Sequence, residues 1–114
     1  MKALAYVTDL FFQAKLGATA KEAGTELHFI RSIYELFPAL DRGCDLLILD
    51  LEAEGFDGPT LISQIHGKYP ELRIVAFAPH VQKSALEASK RSGAESLPRS
   101  QFSANLVKIL KGEA

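Results

Sequence analysis

Acidic side chains stand at two places where a short apolar run stops. "KALAYVTD" ends on Thr8 and Asp9, while "DLLILD" ends on Asp50 and is followed by Glu52, Glu54 and Asp57 before Gly58. Carboxylates gathered at strand ends can hold a hard divalent cation, act as nucleophiles, or simply satisfy local backbone donors. Together with His80, the set Asp9, Asp50, Glu52 and Glu54 also admits a transition-metal reading, because carboxylate and imidazole suit several divalent ions. No tight ligand spacing such as H-x-x-x-H supports a dedicated site of that kind. No Ser or Cys nucleophile stands with a base at a strand end, and carboxylates alone do not make an acid–base catalyst, so an enzyme is not expected.

The elements that would position these groups follow from the alternation of short apolar runs with helix-like stretches. "KALAYV" (Lys2 to Val7), "ELHFI", "DLLILD", "LRIVAFA" and "AESLP" read as five strands. The third is almost continuously apolar, as a central parallel strand covered on both faces must be. Between them, "LFFQAKLGATAKEAG" closes on Gly24, a helix begins at Ile33 after the capping-box pair Ser32 and Glu35, and Pro59 opens "TLISQIHGKY". Pro38 is expected to shorten or kink the second helix. "VQKSALEASKRSG" closes on Gly93, and "SANLVKILKG", with Ser103 as its cap, is the last helix.

Five βα pairs in 114 residues predict a single α/β domain over residues 1–114, without an output domain, built on a parallel sheet with helices on both faces. Such sheets bind ligands outside the carboxyl ends of their strands. The positions of interest are thus Thr8 and Asp9, Arg31, Asp50 with Glu52 and Glu54, Ala78 with Pro79 and His80, and Pro98 with Arg99.

In order and spacing these residues resemble the receiver domain of bacterial response regulators, the CheY-like superfamily, over essentially the whole chain. "DLEAEGFDG" fits the family's D-x-x-x-P-x-x-D-G pattern at Asp50, Asp57 and Gly58, and "SGAESLPRSQF" looks like its G-A-x-x-x-L-x-K-x-F segment with one residue missing. The resemblance implies a doubly wound, five-stranded (βα)5 flavodoxin-like sheet in the order 2-1-3-4-5. It also implies a phosphoacceptor position at Asp50 and a Mg²⁺ site made by Asp9, Asp50 and the backbone carbonyl of Glu52.

Several positions depart from that pattern. Thr8 replaces the first acid of the metal-binding pair and brings no charge, so Mg²⁺ affinity is expected to be weak or absent. Ala78 replaces the Ser or Thr whose hydroxyl binds a phosphoryl oxygen, and Pro79 has no N–H to offer. Arg99 fills the Lys position if the gap precedes Leu97, and Ser100 fills it if there is no gap. A guanidinium keeps the charge but is a broad planar fork where the family has a compact ammonium. Ala78 and Ser96 take the places of the hydroxyl and aromatic that form the family's coupling switch. Glu54, in place of the loop proline, adds negative charge to the pocket.

The remaining features read as ordinary. A formal net charge of −1, with 47% apolar and 24% charged residues, gives no general attraction to nucleic acid. Lys83, Lys90, Arg91, Lys108 and Lys111 interleave with Glu87 and Glu113 as a mixed solvated face. His28 and His66 read as structural, and Cys44, the only cysteine, as a small apolar residue with no disulfide to form. Phe11 and Phe12 point about 100° apart on a helix, so one can face the sheet while the other is exposed. No apolar run reaches the roughly 20 residues of a membrane span, and no leader pattern is present, so a cytoplasmic setting without membrane attachment is expected.

These readings converge on an atypical pseudo-receiver in two-component signalling that works through protein contacts, its partner a histidine kinase or a downstream signalling protein, with homodimerisation as a further expectation. The alternative is a phosphorelay receiver phosphorylated on Asp50 by a histidine kinase with Mg²⁺. A second alternative, a small-molecule or nucleotide binder in the strand-end crevice, lacks G-x-G-x-x-G and G-x-x-x-x-G-K-[ST] loops.

Overall fold

The computed structural model describes residues 1–53, 55–79 and 81–113. Their chain order is β1 (Lys2–Tyr6), α1 (Leu10–Ala23), β2 (Glu26–Phe29), α2 (Ile33–Asp41), β3 (Leu46–Asp50), α3 (Gly58–Lys68), β4 (Arg73–Ala78), α4 (Lys83–Ser92), β5 (Glu95–Pro98), α5 (Arg99–Ala104) and α6 (Leu106–Leu110). All strand pairs are parallel, in the order β2-β1-β3-β4-β5. β2 thus lies on one side of β1 and β3, β4 and β5 on the other, which leaves a crevice where the order reverses between β1 and β3.

Successive side chains of a strand point to opposite faces, and here both faces are apolar. Leu4, Tyr6, Leu47, Leu49, Ile74 and Ala76 pack against Leu36 and Leu40 of α2 and Leu61, Ile62 and Ile65 of α3. The alternate residues Ala3, Ala5, Leu46, Ile48, Val75 and Phe77 pack against Phe12 and Leu16 of α1, Phe102 of α5, and Leu106, Ile109 and Leu110 of α6. Every residue of β3 is buried, which explains its unbroken run of apolar residues. Edge strand β2 alternates exposed and half-buried positions.

The helix boundaries follow local chemistry with three departures. Gly24 and Gly93 close α1 and α4 in left-handed conformations, φ 73° and 119°, as their glycines predict. Pro38 lies inside α2 without ending it; its carbonyl still accepts from the Arg42 N–H at 3.3 Å, so the ladder resumes beyond the missing donor. Ser32 occupies the N-cap of α2 without a side-chain bond, and Glu35 reaches one residue further back, to the Arg31 N–H at 3.1 Å. The last helical stretch begins at Arg99, directly after β5, and is divided at Asn105, whose φ of −104° departs from helical geometry. Ser103 therefore sits within α5 and does not cap it; its hydroxyl accepts from Lys15 of α1.

No helix among the described residues is long and apolar enough to cross a membrane. Cys44 is half-buried, and burial pushes its thiol upward, away from thiolate reactivity.

Candidate functional site

The site lies where β1, β3 and β5 end. Asp9 is the N-cap of α1: its extended backbone, φ −72° and ψ 114°, lets Oδ1 accept from the Phe12 N–H at 3.1 Å. Thr8 beside it is exposed. Asp50 ends β3 and is only 2% exposed, a burial unusual for a carboxylate that makes no ion pair among the described residues. Its Oδ1 accepts from the Glu52 N–H at 2.9 Å. Burial pushes the Asp50 carboxyl above its ordinary value; the Glu52 N–H and the Arg99 charge pull it back, while the carboxylates of Glu52 and Asp9 push it further up.

The β4 end supplies little to hold an anion. Phe77 stands opposite Asp50 in the register, and the Leu51 N–H donates to its carbonyl at 2.9 Å. The strand then continues into Ala78, 1% exposed, and half-buried Pro79, a methyl group and a tertiary amide where a hydroxyl and an N–H would serve a phosphoryl group. Ser96 is buried on β5 opposite Ala76, and its hydroxyl has no hydrogen-bond partner among the described residues.

Of the two residues read as candidates at the end of β5, Arg99 is the one directed to the acids. It is the first residue of α5, its guanidinium lies toward the acids, and Ser100 is exposed. Nη1 is 3.7 Å from Asp9 Oδ2 and Nη2 is 3.5 Å from Glu52 Oε1. Beneath it lies an aromatic floor, with Cζ 5.7 Å from the ring centroid of Phe12 and 5.9 Å from that of Phe77, within cation–π range. Phe12, Pro79, Arg99, Ser100 and Ser103 line a groove of about 400 Å³ alongside.

Asp9, Asp50, Glu52 and Arg99, all read from the sequence as strand-end candidates, lie near one another, and the sequence reading used Glu52 only through its carbonyl. Its side chain is in fact the second partner of Arg99. The floor of Phe12, Phe77 and Phe102 was also missed, although Phe102 closes the quoted "SGAESLPRSQF" segment. Phe12 is the buried member of its pair and Phe11 the exposed one, at 80%. His28 Nε2 lies 3.4 Å from Glu26 Oε1, and His66 packs where a Cβ on Gly93 would fall. Glu54 and His80 lie outside the described residues.

Solved structures match the chain along almost its whole length. The receiver domain of the TMAO respiratory system response regulator TorR superposes with a TM-score of 0.86, 16% identity, and coverage of 97% of this chain and 93% of that one. A two-component response regulator from Clostridium difficile gives 0.80 at 20% identity, covering 96% and 94% of the two chains. The chain has the receiver fold. The receiver domain of a sensor histidine kinase from Pseudomonas aeruginosa, with a TM-score of 0.79, 16% identity and coverage of 97% and 94%, carries a magnesium ion in its active-site cleft. No family model and no curated protein matches the chain.

As arranged on this receiver fold, the residues do not fit a divalent ion. Hard cations need several oxygen ligands converging on one point. Here Thr8 carries no charge, Asp9 already caps α1 and meets Arg99, and Asp50 is turned to the Glu52 N–H. Among the described residues no three acidic, His or Cys groups are placed to hold a metal ion.

Proposed function

We propose that the chain is a receiver-like signalling module that acts through protein contacts and does not depend on phosphorylation of Asp50. The observation that carries this reading is the β4 end beside Asp50, where Ala78 offers no hydroxyl and Pro79 no N–H. Phosphoryl transfer to a carboxylate needs donors already aimed at the oxygens that gain charge, and each absent donor typically costs about a hundredfold or more in rate. A raised, buried Asp50 is also a poorer nucleophile, since its neutral form cannot attack.

The partner is a protein of a signalling pathway, either a histidine kinase or a protein acting downstream. Two exposed apolar side chains beside Asp9, Leu10 at 78% and Phe11 at 80%, give a protein surface something to bury at the rim of the site. The face made by α4, β5 and α5 is by contrast mixed in charge, with exposed Lys83, Glu87, Lys90, Arg91 and Glu95.

A second reading, phosphorylation of Asp50 by a histidine kinase with Mg²⁺, is favoured by one feature: Asp50 is near enough to the Arg99 cation for its carboxylate to be stabilised by it. Intact-mass analysis after incubation with Mg²⁺ and acetyl phosphate separates the two, with Asp50→Asn as control. We expect no gain of mass in the folded wild-type protein. A gain of one phosphoryl group, absent from Asp50→Asn, would overturn the first reading in favour of the second.

A further inference from the structure

On the α2 side of the sheet the edge strand stops contributing to the core. Leu4 of β1 is buried there, but its register neighbour on β2 is His28, and Glu26 shares that face; both of these side chains are more than half exposed. α2 packs through Leu36, Ala39 and Leu40 and leaves the strip over β2 uncovered. The result is a groove of about 390 Å³ between β2 and α2, a volume within the range of small-molecule sites. None of Asp9, Asp50, Glu52 and Arg99 lines it.

The two ends of the groove differ in chemistry. Leu4, Ile30 and Ala39 form an apolar floor, and Tyr34, on the first turn of α2 and 88% exposed, offers a ring at one end. At the other end, the start of β1 and the C-terminus of α2 bring Lys2 and Arg42. Neither cation has an ion pair or a side-chain hydrogen bond among the described residues. The acids around them are engaged elsewhere: Asp45 accepts from the Lys2 N–H at 2.9 Å, and Glu26 faces His28 at 3.4 Å. Glu35, the acid that lines the groove, accepts from the Arg31 N–H at 3.1 Å and stands about two helical turns from Arg42. Its charge repels an anion from the Tyr34 end and so favours the Lys2 end.

We propose that this groove binds a small aromatic anion, with its rings against Tyr34 and Pro38 over the apolar floor and its acidic group at Lys2 and Arg42. From Tyr34 to Arg42 the helix rises about 12 Å, the length of a fused-ring system with a short acidic substituent. A protein partner would need about 800 Å² on each side, more than a groove of this length presents. Charge selects the anion, because two cations lining one end without partners both gain by sharing it. The exposed ring of Tyr34 selects a flat body, which can stack, over an aliphatic one. Binding here is separate from the chemistry of Asp50, since the groove runs along β2 and α2 and Lys2 is at the opposite end of β1 from Asp9.

The test titrates 1-anilinonaphthalene-8-sulfonate, a fluorescent aromatic anion, into the full chain, with backbone amide shifts recorded by NMR alongside. Wild-type protein should bind one equivalent saturably, with shifts confined to β2, α2 and the start of β1. Lys2→Ala combined with Arg42→Ala should weaken binding about tenfold or more, because both charged partners are lost. N-phenyl-1-naphthylamine, the same rings without the sulfonate, should bind wild type and the double variant equally weakly, and Tyr34→Ala should weaken both probes. The amide spectra show whether each variant is folded; Arg42→Glu, at an exposed position, is the substitute should the double variant not fold. Absence of saturable binding, shifts centred outside the groove, or a folded charge variant that binds the sulfonate as tightly as wild type overturns the proposal. None of these results bears on acetyl phosphate labelling, so the failure of this proposal and that of the functional reading remain distinct.

Discussion

Phe77 on β4 and Phe102 on α5 stack face to face, their ring centroids 4.4 Å apart and their planes at 10°. Neither ring is exposed, and Phe12 of α1 joins them at 5.1 Å and 5.7 Å. The three rings join the sheet to two helices, and two of them, Phe12 and Phe77, lie beneath Arg99. Fold and site share this one cluster.

Phe102→Ala removes a fully buried ring from it. Truncations of this kind cost about 3–5 kcal/mol, through lost burial and the cavity left behind, against a total stability of about 5–15 kcal/mol for an ordinary domain. Urea unfolding should show a midpoint far below that of wild type. A loss under about 1 kcal/mol would mean that neighbouring side chains refill the space and that the stack does not anchor α5.

Gly93 closes α4 with φ 119°, and a Cβ there would sit 2.8 Å from Cγ of His66. Gly93→Ala combines backbone strain with a clash against α3, so it should destabilise by more than the ordinary glycine-to-alanine difference of about 1 kcal/mol. Gly67, inside α3 with open space at its Cβ position, is the matched comparison. Gly67→Ala should stabilise by about 0.5–1 kcal/mol, because alanine is the better helix former. Thermal unfolding of the two variants should therefore move in opposite directions.

The layout of the fold was legible because its signals are local. Gly24, Gly93 and Pro59 mark helix ends through their own backbone limits, and the burial of all of β3 is written in consecutive apolar residues. The last helix was harder to read. Pro98 and Arg99 pass from strand to helix without a loop, and a cap assigned to Ser103 looked sound because the residue type suits one. The contact of Lys15 with Ser103, 88 positions apart, has no local trace. At the site, strand ends located Asp9, Asp50 and Arg99, but the pairing of Arg99 with the Glu52 side chain depends on where a long flexible stem comes to rest. That is decided by Phe12 and Phe77, which reach it from other elements.

Asp57 caps α3, accepting from the Thr60 N–H at 3.2 Å and also from the Thr60 hydroxyl. The hydroxyl bond first, and the backbone bond second, hold its carboxyl below the usual 3.8. A depressed value means that the cap stabilises the fold above the unfolded-state value and loses that effect as pH falls through the folded one. Asp57→Ala should thus lower the melting temperature at neutral pH, with the gap from wild type narrowing in acid below 3.8. A gap that stays constant across the acid range would indicate that the hydrogen bonds to Thr60 do not prefer the charged form.

Asp50 has the opposite sign. Burial is the largest influence on it and raises its carboxyl above 3.8, so the folded chain holds this proton more tightly than the unfolded chain does. Its contribution to stability is then fully present below 3.8 and is lost as pH rises through the higher folded value. Once ionised, the group sits buried among Glu52, Asp9 and Arg99, and the attraction of Arg99 only partly offsets the desolvation. Asp50→Asn keeps an oxygen to accept from the Glu52 N–H while removing the charge. It should therefore raise the melting temperature at neutral pH, with the gain shrinking as acid protonates wild-type Asp50. A variant less stable than wild type at neutral pH would show that the pull of Arg99 exceeds the cost of burial. The Asp50 carboxylate would then be held in its charged form, the one that a phosphoryl acceptor requires.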